Sequence, residues 1–336
     1  MDQTASPISQ APGAGRSLWS RRTIARLVLV LALAALVYTA LVVVADARQL
    51  WAALAHFHWA ALALALGLAS TNYVLRAIRW QFYLKSLGAA PPPVQSFLIF
   101  LGGFSLAVTP GKVGELVKCY FLERANGTPA TSSVPVVLAE RLTDVLALVL
   151  LAGAGISTGG SLALPLALLA LMALGLMLLW NQAAVSWLLA RCRRIPRFGP
   201  QAEKLALAYS RTRQLLLPGP LLLATGLAAA AWFCECLALF AIARSFGSSL
   251  GLSQAVWVYA LATLAGAVSF MPGGLGTTEL SLTGLLVVLG NSRQEATAST
   301  LLVRAATLWF AVGVGVLALP ALRYSLQRSA TRQPGV

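Results

Sequence analysis

The sequence predicts an all-α, polytopic membrane protein built as an inverted repeat, and three observations carry that prediction. The 336 residues are 58% hydrophobic and only 10% charged, with mean hydropathy +0.78, far too apolar for a soluble globular chain. Basic residues gather in alternate connections between apolar runs, the bias expected of cytoplasmic loops. A helix-breaking motif also occurs twice, as Pro110-Gly111-Lys112-Val113-Gly114-Glu115-Leu116 and as Pro272-Gly273-Gly274-Leu275-Gly276-Thr277-Thr278-Glu279-Leu280, with the prolines 162 residues apart. Proline lacks a helix N–H and glycine tolerates unusual backbone angles, so each motif should end one helix and start another. In a bilayer the freed backbone groups need protein or a watery cavity, so paired breaks point to a binding site.

Residues 1–26 read as a disordered, basic cytoplasmic tail that ends in Arg16, Arg21, Arg22 and Arg26. The apolar run from Leu27 to Ala45 is too long for a signal-peptide core and predicts an uncleaved first span. A second span, Trp59 to Leu75, is expected to return to the cytoplasm at Arg76, Arg79 and Trp80. After Pro91-Pro92-Pro93, the run from Ser96 to Thr109 covers about 21 Å of a core about 30 Å thick, which makes it one arm of a re-entrant hairpin.

Spans are expected from Val134 to Ile156 and from Leu162 to Trp180. Arg191, Arg193, Arg194, Arg197, Lys204, Arg211 and Arg213 then face the single acid Glu203, marking 181–218 as a cytoplasmic connector. A span from Gly219 to Ala243, a second hairpin with arms from Ala255 to Met271 and from Leu280 to Gly290, and a last span from Ala296 to Pro320 follow. Residues 326–336 form a cytoplasmic tail. The prediction is therefore one transmembrane domain, 27–325, with about six full spans and two opposed re-entrant hairpins. Its repeat halves are about 59–180 and 219–320, and an offset of 162 maps Trp59 to Leu221 and Arg141 close to Arg304.

Charges within spans cost about 2.5–3.5 kcal/mol each at a helix centre and suggest function. Those present are Lys112, Glu115, Lys118, Glu140, Arg141, Asp144, Glu235, Glu279 and Arg304. Glu140 and Asp144, four apart, share a helix face. One reading has Arg141 and Arg304 pairing with Glu115, Glu140 or Glu279 to hold broken helices together. The other has arginines gripping a lipid phosphate beside the positive ends of new helices. Arg76 and Arg79 beside Trp80 read either as snorkelling anchors or as a mouth that collects anionic headgroups.

A formal charge of +15 reflects loop bias, not nucleic-acid binding. Only His56 and His58 are present and the four cysteines lack metal spacing, so no cofactor, metal or catalytic constellation is expected.

Arg76-x-x-Arg79-Trp80, Pro110-Gly-Lys-Val-Gly-Glu115, Glu140-Arg141-x-x-Asp144, Trp232-x-x-Glu235, Pro272-Gly-Gly-Leu-Gly-x-x-Glu279 and Arg304 with Trp309 together resemble the flippase-like family related to the transmembrane region of lysylphosphatidylglycerol synthase. The resemblance covers roughly residues 25–325 and implies movement of a lipid between leaflets of a bacterial inner membrane, without enzymatic chemistry of its own. The chain ends about sixteen residues after its last span, which implies no synthase domain. The expected anionic-headgroup ligands are Arg76, Arg79, Lys112, Lys118, Arg141 and Arg304. The expected hinge, gating or proton-exchanging residues are Pro110, Gly111, Gly114, Glu115, Glu140, Asp144, Glu235, Pro272, Gly273, Gly274, Gly276 and Glu279. Competing readings are a solute or ion transporter on the same repeat, and an accessory subunit of a membrane lipid-modifying transferase. A homo-oligomer or a membrane glycosyltransferase partner is left open.

Overall fold

The computed structural model describes residues 36–39, 43, 47–55, 57–109, 114–155, 163–193 and 199–331. Among them there are helices and no strands. Most of the expected first span, the expected tails and the tip of the first motif (Pro110, Gly111, Lys112 and Val113) lie outside the described residues.

The first half of the repeat comprises α2 (Trp59–Ser86), α3 (Pro93–Gly103), α4 (Val117–Asn126) and α5 (Ala130–Ala154), preceded by a short α1 (Ala47–Ala55). The expected span before the connector forms α6 (Ala163–Trp180), and the connector folds into α7 (Gln182–Arg193) and α8 (Gly199–Leu215). The second half comprises α9 (Pro218–Ser245), α10 (Leu252–Val268), α11 (Thr277–Val288), α12 (Arg293–Arg304) and α13 (Phe310–Thr331). A five-residue π turn, Ala305–Trp309, joins the last two.

The halves correspond element for element. Both α2 and α9 have 28 residues, and their starts lie 159 apart, as do the starts of α3 and α10. The offset is 159 for the long helices, 162 between the motif prolines and 163 between α5 and α12, so the second half carries its extra residues around the break. The backbone N–H of His58, at the start of α2, donates to Ser245 Oγ at the end of α9. Gln214, just before α9, donates to the Ser86 carbonyl at the end of α2. The two mates are thus antiparallel, which inverts one half relative to the other. They meet at their midpoints, where Asn72 Nδ2 donates to the carbonyl of its own repeat mate, Ala231, at 2.8 Å. Each first hairpin arm also packs on the other half: α3 on α13, and α10 on α5.

Three described helices are long and apolar enough to cross a membrane: α2, α9 and the continuous run Arg293–Arg328. Leu169–Trp180 and Gln182–Arg191 make a fourth if their 64° bend lies within one span. Although α5 has 25 residues, Glu140, Arg141 and Asp144 sit inside it, and much of it is buried in the bundle. Burial against α2, α9 and α10 replaces lipid as its surroundings. The connector is not a loose surface loop, because α8 docks on α5, with Arg211 donating to the Ser132 carbonyl and Tyr209 to the Leu179 carbonyl.

Candidate functional site

Residue order alone put the exit of the second span at Arg76. Instead α2 runs on to Ser86, and Arg79 and Trp80 are fully buried, so the interfacial mouth expected there is corrected. The reason is Asp144 on α5, which holds Arg79 Nη1 at 2.8 Å, Arg141 at 2.8 Å and Arg76 at 3.8 Å. One carboxylate offers about four acceptor positions, enough for several guanidinium donors. Trp232 Nε1 donates to the same carboxylate at 3.2 Å, tying α9 to α2 and α5.

The two hairpins are pinned in the same way. Glu115, after the first break, pairs with Arg141 at 3.1 Å; Glu279, after the second, pairs with Arg304 at 2.7 Å. Arg141 and Arg304 occupy corresponding positions on α5 and α12, so the repeat preserves the pair as well as the backbone. Glu279 is the more enclosed of the two acids. Its second oxygen accepts the Gly276 N–H at 2.8 Å, capping α11, and Tyr38 approaches at 3.4 Å. Arg304 donates once more, to the Gly273 carbonyl. The three glycines of this tip have φ of 60°, 69° and 84°, a region where a Cβ costs roughly 1–2 kcal/mol. Only glycine lets this short turn fold without that strain.

Lys118 and Glu140 form a separate pair at 2.6 Å, with the ammonium 4.5 Å from the Trp80 ring centre and 5.1 Å from that of Phe100. Aromatic faces and a carboxylate stabilise a buried cation. Lys118, Arg79 and Glu140 therefore lie behind the site as supports. Neither Lys118 nor Arg79, both expected among the headgroup ligands, lines the cavity described next.

Between the flanks of the first break and the tip of the second hairpin lies a cavity with a water-accessible volume of about 110 Å³. That is room for several waters or one compact ionic group, given roughly 10–15 Å³ of such volume per water. Arg76, Arg141 and Arg304 converge on it from three helices of both halves. Ala107 from the first hairpin and Gly273 and Gly274 from the second also form its walls, while Val108 and Leu275 share an apolar cluster beside it. Arg76 and Arg141 each keep a buried Nε with no acceptor among the described residues. Three arginines against two carboxylates, Glu115 and Glu235, make up the charged part of this wall among the described residues, a balance that suits an anion.

Glu115 and Glu235 face the same space. Glu140, Asp144 and Glu279 stand outside its lining. Tyr73, Phe104, Tyr259 and Thr307 also line it, and none of the four stood out in the sequence. The π turn was a signal the sequence reading had no means to use; such turns often mark functional sites. Trp309 donates to Tyr38 Oη at 2.7 Å, and Tyr38 in turn faces Glu279 of the second hairpin. Gly114 is buried where α4 begins, with its N–H held by Thr109 Oγ1 at 2.7 Å.

Two curated relatives are described as UPF0104 membrane proteins of Methanothermobacter thermautotrophicus, 34% identical over 86 residues and 31% over 93. Each match spans about a quarter of both chains, at 26%. A much longer correspondence covers residues 24–315, across both hairpins and every ion pair above, with the lysylphosphatidylglycerol synthase transmembrane region. The chain is a membrane protein of the lysylphosphatidylglycerol synthase transmembrane-region family.

Proposed function

We propose that the protein moves a phosphate-bearing, anionic lipid between the leaflets of a bacterial inner membrane, as a flippase or scramblase without enzymatic activity. One observation carries this reading. Three arginines, drawn from both halves of an inverted repeat, meet at a cavity walled by two broken helices. Guanidinium groups hold phosphate oxygens in bidentate fashion, and inverted halves around a central site suit alternating access. The family's description, which concerns the membrane part of a phospholipid synthase, supports a lipid cargo.

The ion pairs suggest how binding opens the path. An entering phosphate competes with Glu115 for Arg141 and with Glu279 for Arg304. Each exchange loosens the hairpin that the acid anchors. Arg141 retains Asp144 when Glu115 leaves, whereas Arg304 retains no carboxylate among the described residues, only neutral groups such as the Gly273 carbonyl and Tyr38. The first hairpin is thus the easier gate. Both termini are assigned to the cytoplasm from the arginine bias, and the lipid tails stay in the bilayer throughout.

The test is leaflet-resolved lipid movement in proteoliposomes carrying labelled phosphatidylglycerol or polyprenyl phosphate. Wild-type movement that falls at least tenfold in folded Arg141→Lys and Arg304→Lys variants is the expected result, because lysine keeps the charge and loses the bidentate grip. Protein that moves neither lipid, or variants that move it at wild-type rates, would overturn the proposal in favour of a solute transporter or an accessory subunit.

A further inference from the structure

Arg76 and Glu235 occupy corresponding positions on α2 and α9, each four residues beyond the Asn72–Ala231 contact at the helix midpoints. Each therefore sits about 6 Å along its helix from the centre of the repeat. Both line the cavity, carry opposite charges and form no ion pair with one another. Arg76 leans towards Asp144 at 3.8 Å, and its guanidinium lies 5.7 Å from the ring centres of both Phe104 and Trp232.

Glu235, 6% exposed, is the exception among the five acids of the cluster. Glu115, Glu140, Asp144 and Glu279 each have a cation at 3.1 Å or closer. Glu235 has none within ion-pairing distance among the described residues, and its polar partner is Tyr259 Oη, which donates to Oε2 at 2.6 Å. The groups facing it are Tyr73 and Arg76 from α2, Asp144 from α5, Tyr259 from α10 and Arg304 from α12. Thr307 adds a hydroxyl 3.5 Å from that of Tyr259. Both arginines are already turned to other carboxylates.

An ionised carboxylate near a span centre costs about 2.5–3.5 kcal/mol unless compensated. A phosphate bound to Arg76, Arg141 and Arg304 adds like-charge repulsion across the same small space. A proton on Glu235 removes both penalties. We propose that Glu235 is an exchangeable-proton site, loaded as a phosphate-bearing headgroup enters the cavity, so that proton and cargo cross together. This rests on the lipid-movement reading. The proton comes from water on the side of entry, binds the oxygen not held by Tyr259, and returns to water on the far side. No bond of the cargo breaks. A phosphodiester of charge −1 crossing with one proton is electroneutral, so transport responds to pH difference and not to membrane potential.

Two measurements test this separately. The first is infrared difference spectroscopy of the purified protein with and without glycerophosphate. Wild type should gain a protonated-carboxyl C=O band that Glu235→Gln lacks and that Tyr259→Phe shifts in frequency. No gain in wild type, or an equal gain in Glu235→Gln, overturns the proton site whether or not lipid moves.

The second uses proteoliposomes with trace labelled phosphatidylglycerol and an imposed pH difference of one unit. One-to-one coupling shifts the steady-state leaflet ratio about tenfold, equal to about 1.4 kcal/mol, and valinomycin-set potentials leave that ratio unchanged. A ratio near one in wild type that still moves lipid overturns the coupling. So does movement restricted to amine-bearing phosphatidylethanolamine, which would make Glu235 an ammonium ligand. A carboxyl band without lipid movement keeps the proton site and removes the lipid-movement reading instead.

Discussion

Replacing Glu279 with alanine should destabilise the protein far more than the corresponding replacement of Glu115, although the two acids play the same part in the two halves. Glu279 is fully buried, and its loss leaves Arg304, 7% exposed, with no carboxylate among the described residues; the neutral groups beside it are the Gly273 carbonyl at 2.7 Å and Tyr38. Removing one member of a buried ion pair costs about 3–5 kcal/mol. Loss of the cap on the Gly276 N–H adds about 1 kcal/mol, for a total of about 4–6 kcal/mol. In the first half, the side chains of Arg141 and Glu115 are 23% and 13% exposed, and Arg141 keeps Asp144 at 2.8 Å. Glu115→Ala therefore removes a charged hydrogen bond without stranding a charge, at about 1.5–3 kcal/mol.

Unfolding by SDS in mixed micelles, followed by tryptophan fluorescence, measures both variants against wild type. The Glu279→Ala/Arg304→Met double variant should be more stable than Glu279→Ala alone, because it removes the stranded cation. Equal penalties for Glu115→Ala and Glu279→Ala, or a double variant no better than the single, would refute the reasoning.

The same unfolding assay checks two further expectations. Lys118→Met should cost about 3–5 kcal/mol by leaving fully buried Glu140 uncompensated, and Lys118→Met/Glu140→Leu should recover most of it. A double variant as unstable as the single would show that the pair is not what holds α4 to α5. Gly266→Ala should cost about 1–3 kcal/mol, because the added methyl meets the hydroxyl of Thr278 where α10 passes α11. In a Thr278→Ala background the same change should cost less than about 1 kcal/mol; an undiminished penalty would place the conflict elsewhere.

The paired motifs were legible because a break in an apolar run is a local event. Proline and glycine declare it by type, and the second tip does use Gly273, Gly274 and Gly276 at positive φ. The correspondence of Arg141 with Arg304 was legible for a related reason: a repeat keeps its spacing even where similarity fades. The pairing of Arg79 and Lys118 with buried acids was not legible, because a basic residue in or beside an apolar run has the same sequence pattern whether it meets a headgroup or a buried acid. Asp144 lies 65 residues from Arg79 in the chain, and nothing local joins them. Tyr73, Tyr259 and Thr307 escaped notice because aromatic and hydroxyl residues are ordinary within spans.

By itself, the sequence determined an all-α membrane chain, two broken helices in related halves and a set of charges too costly for lipid-facing positions. Those are consequences of residue type and spacing, which act through hydration and backbone geometry. Only the tertiary structure decided which charges neutralise each other and which are left facing a cavity. It assigned Arg79 and Lys118 to the interior, brought Arg76, Arg141 and Arg304 to one wall, and left Glu235 with a tyrosine in place of a cation. The physical reason is that the Coulomb and hydrogen-bond energies of a buried charge depend on atoms a few ångströms away in space, supplied by helices far apart in sequence.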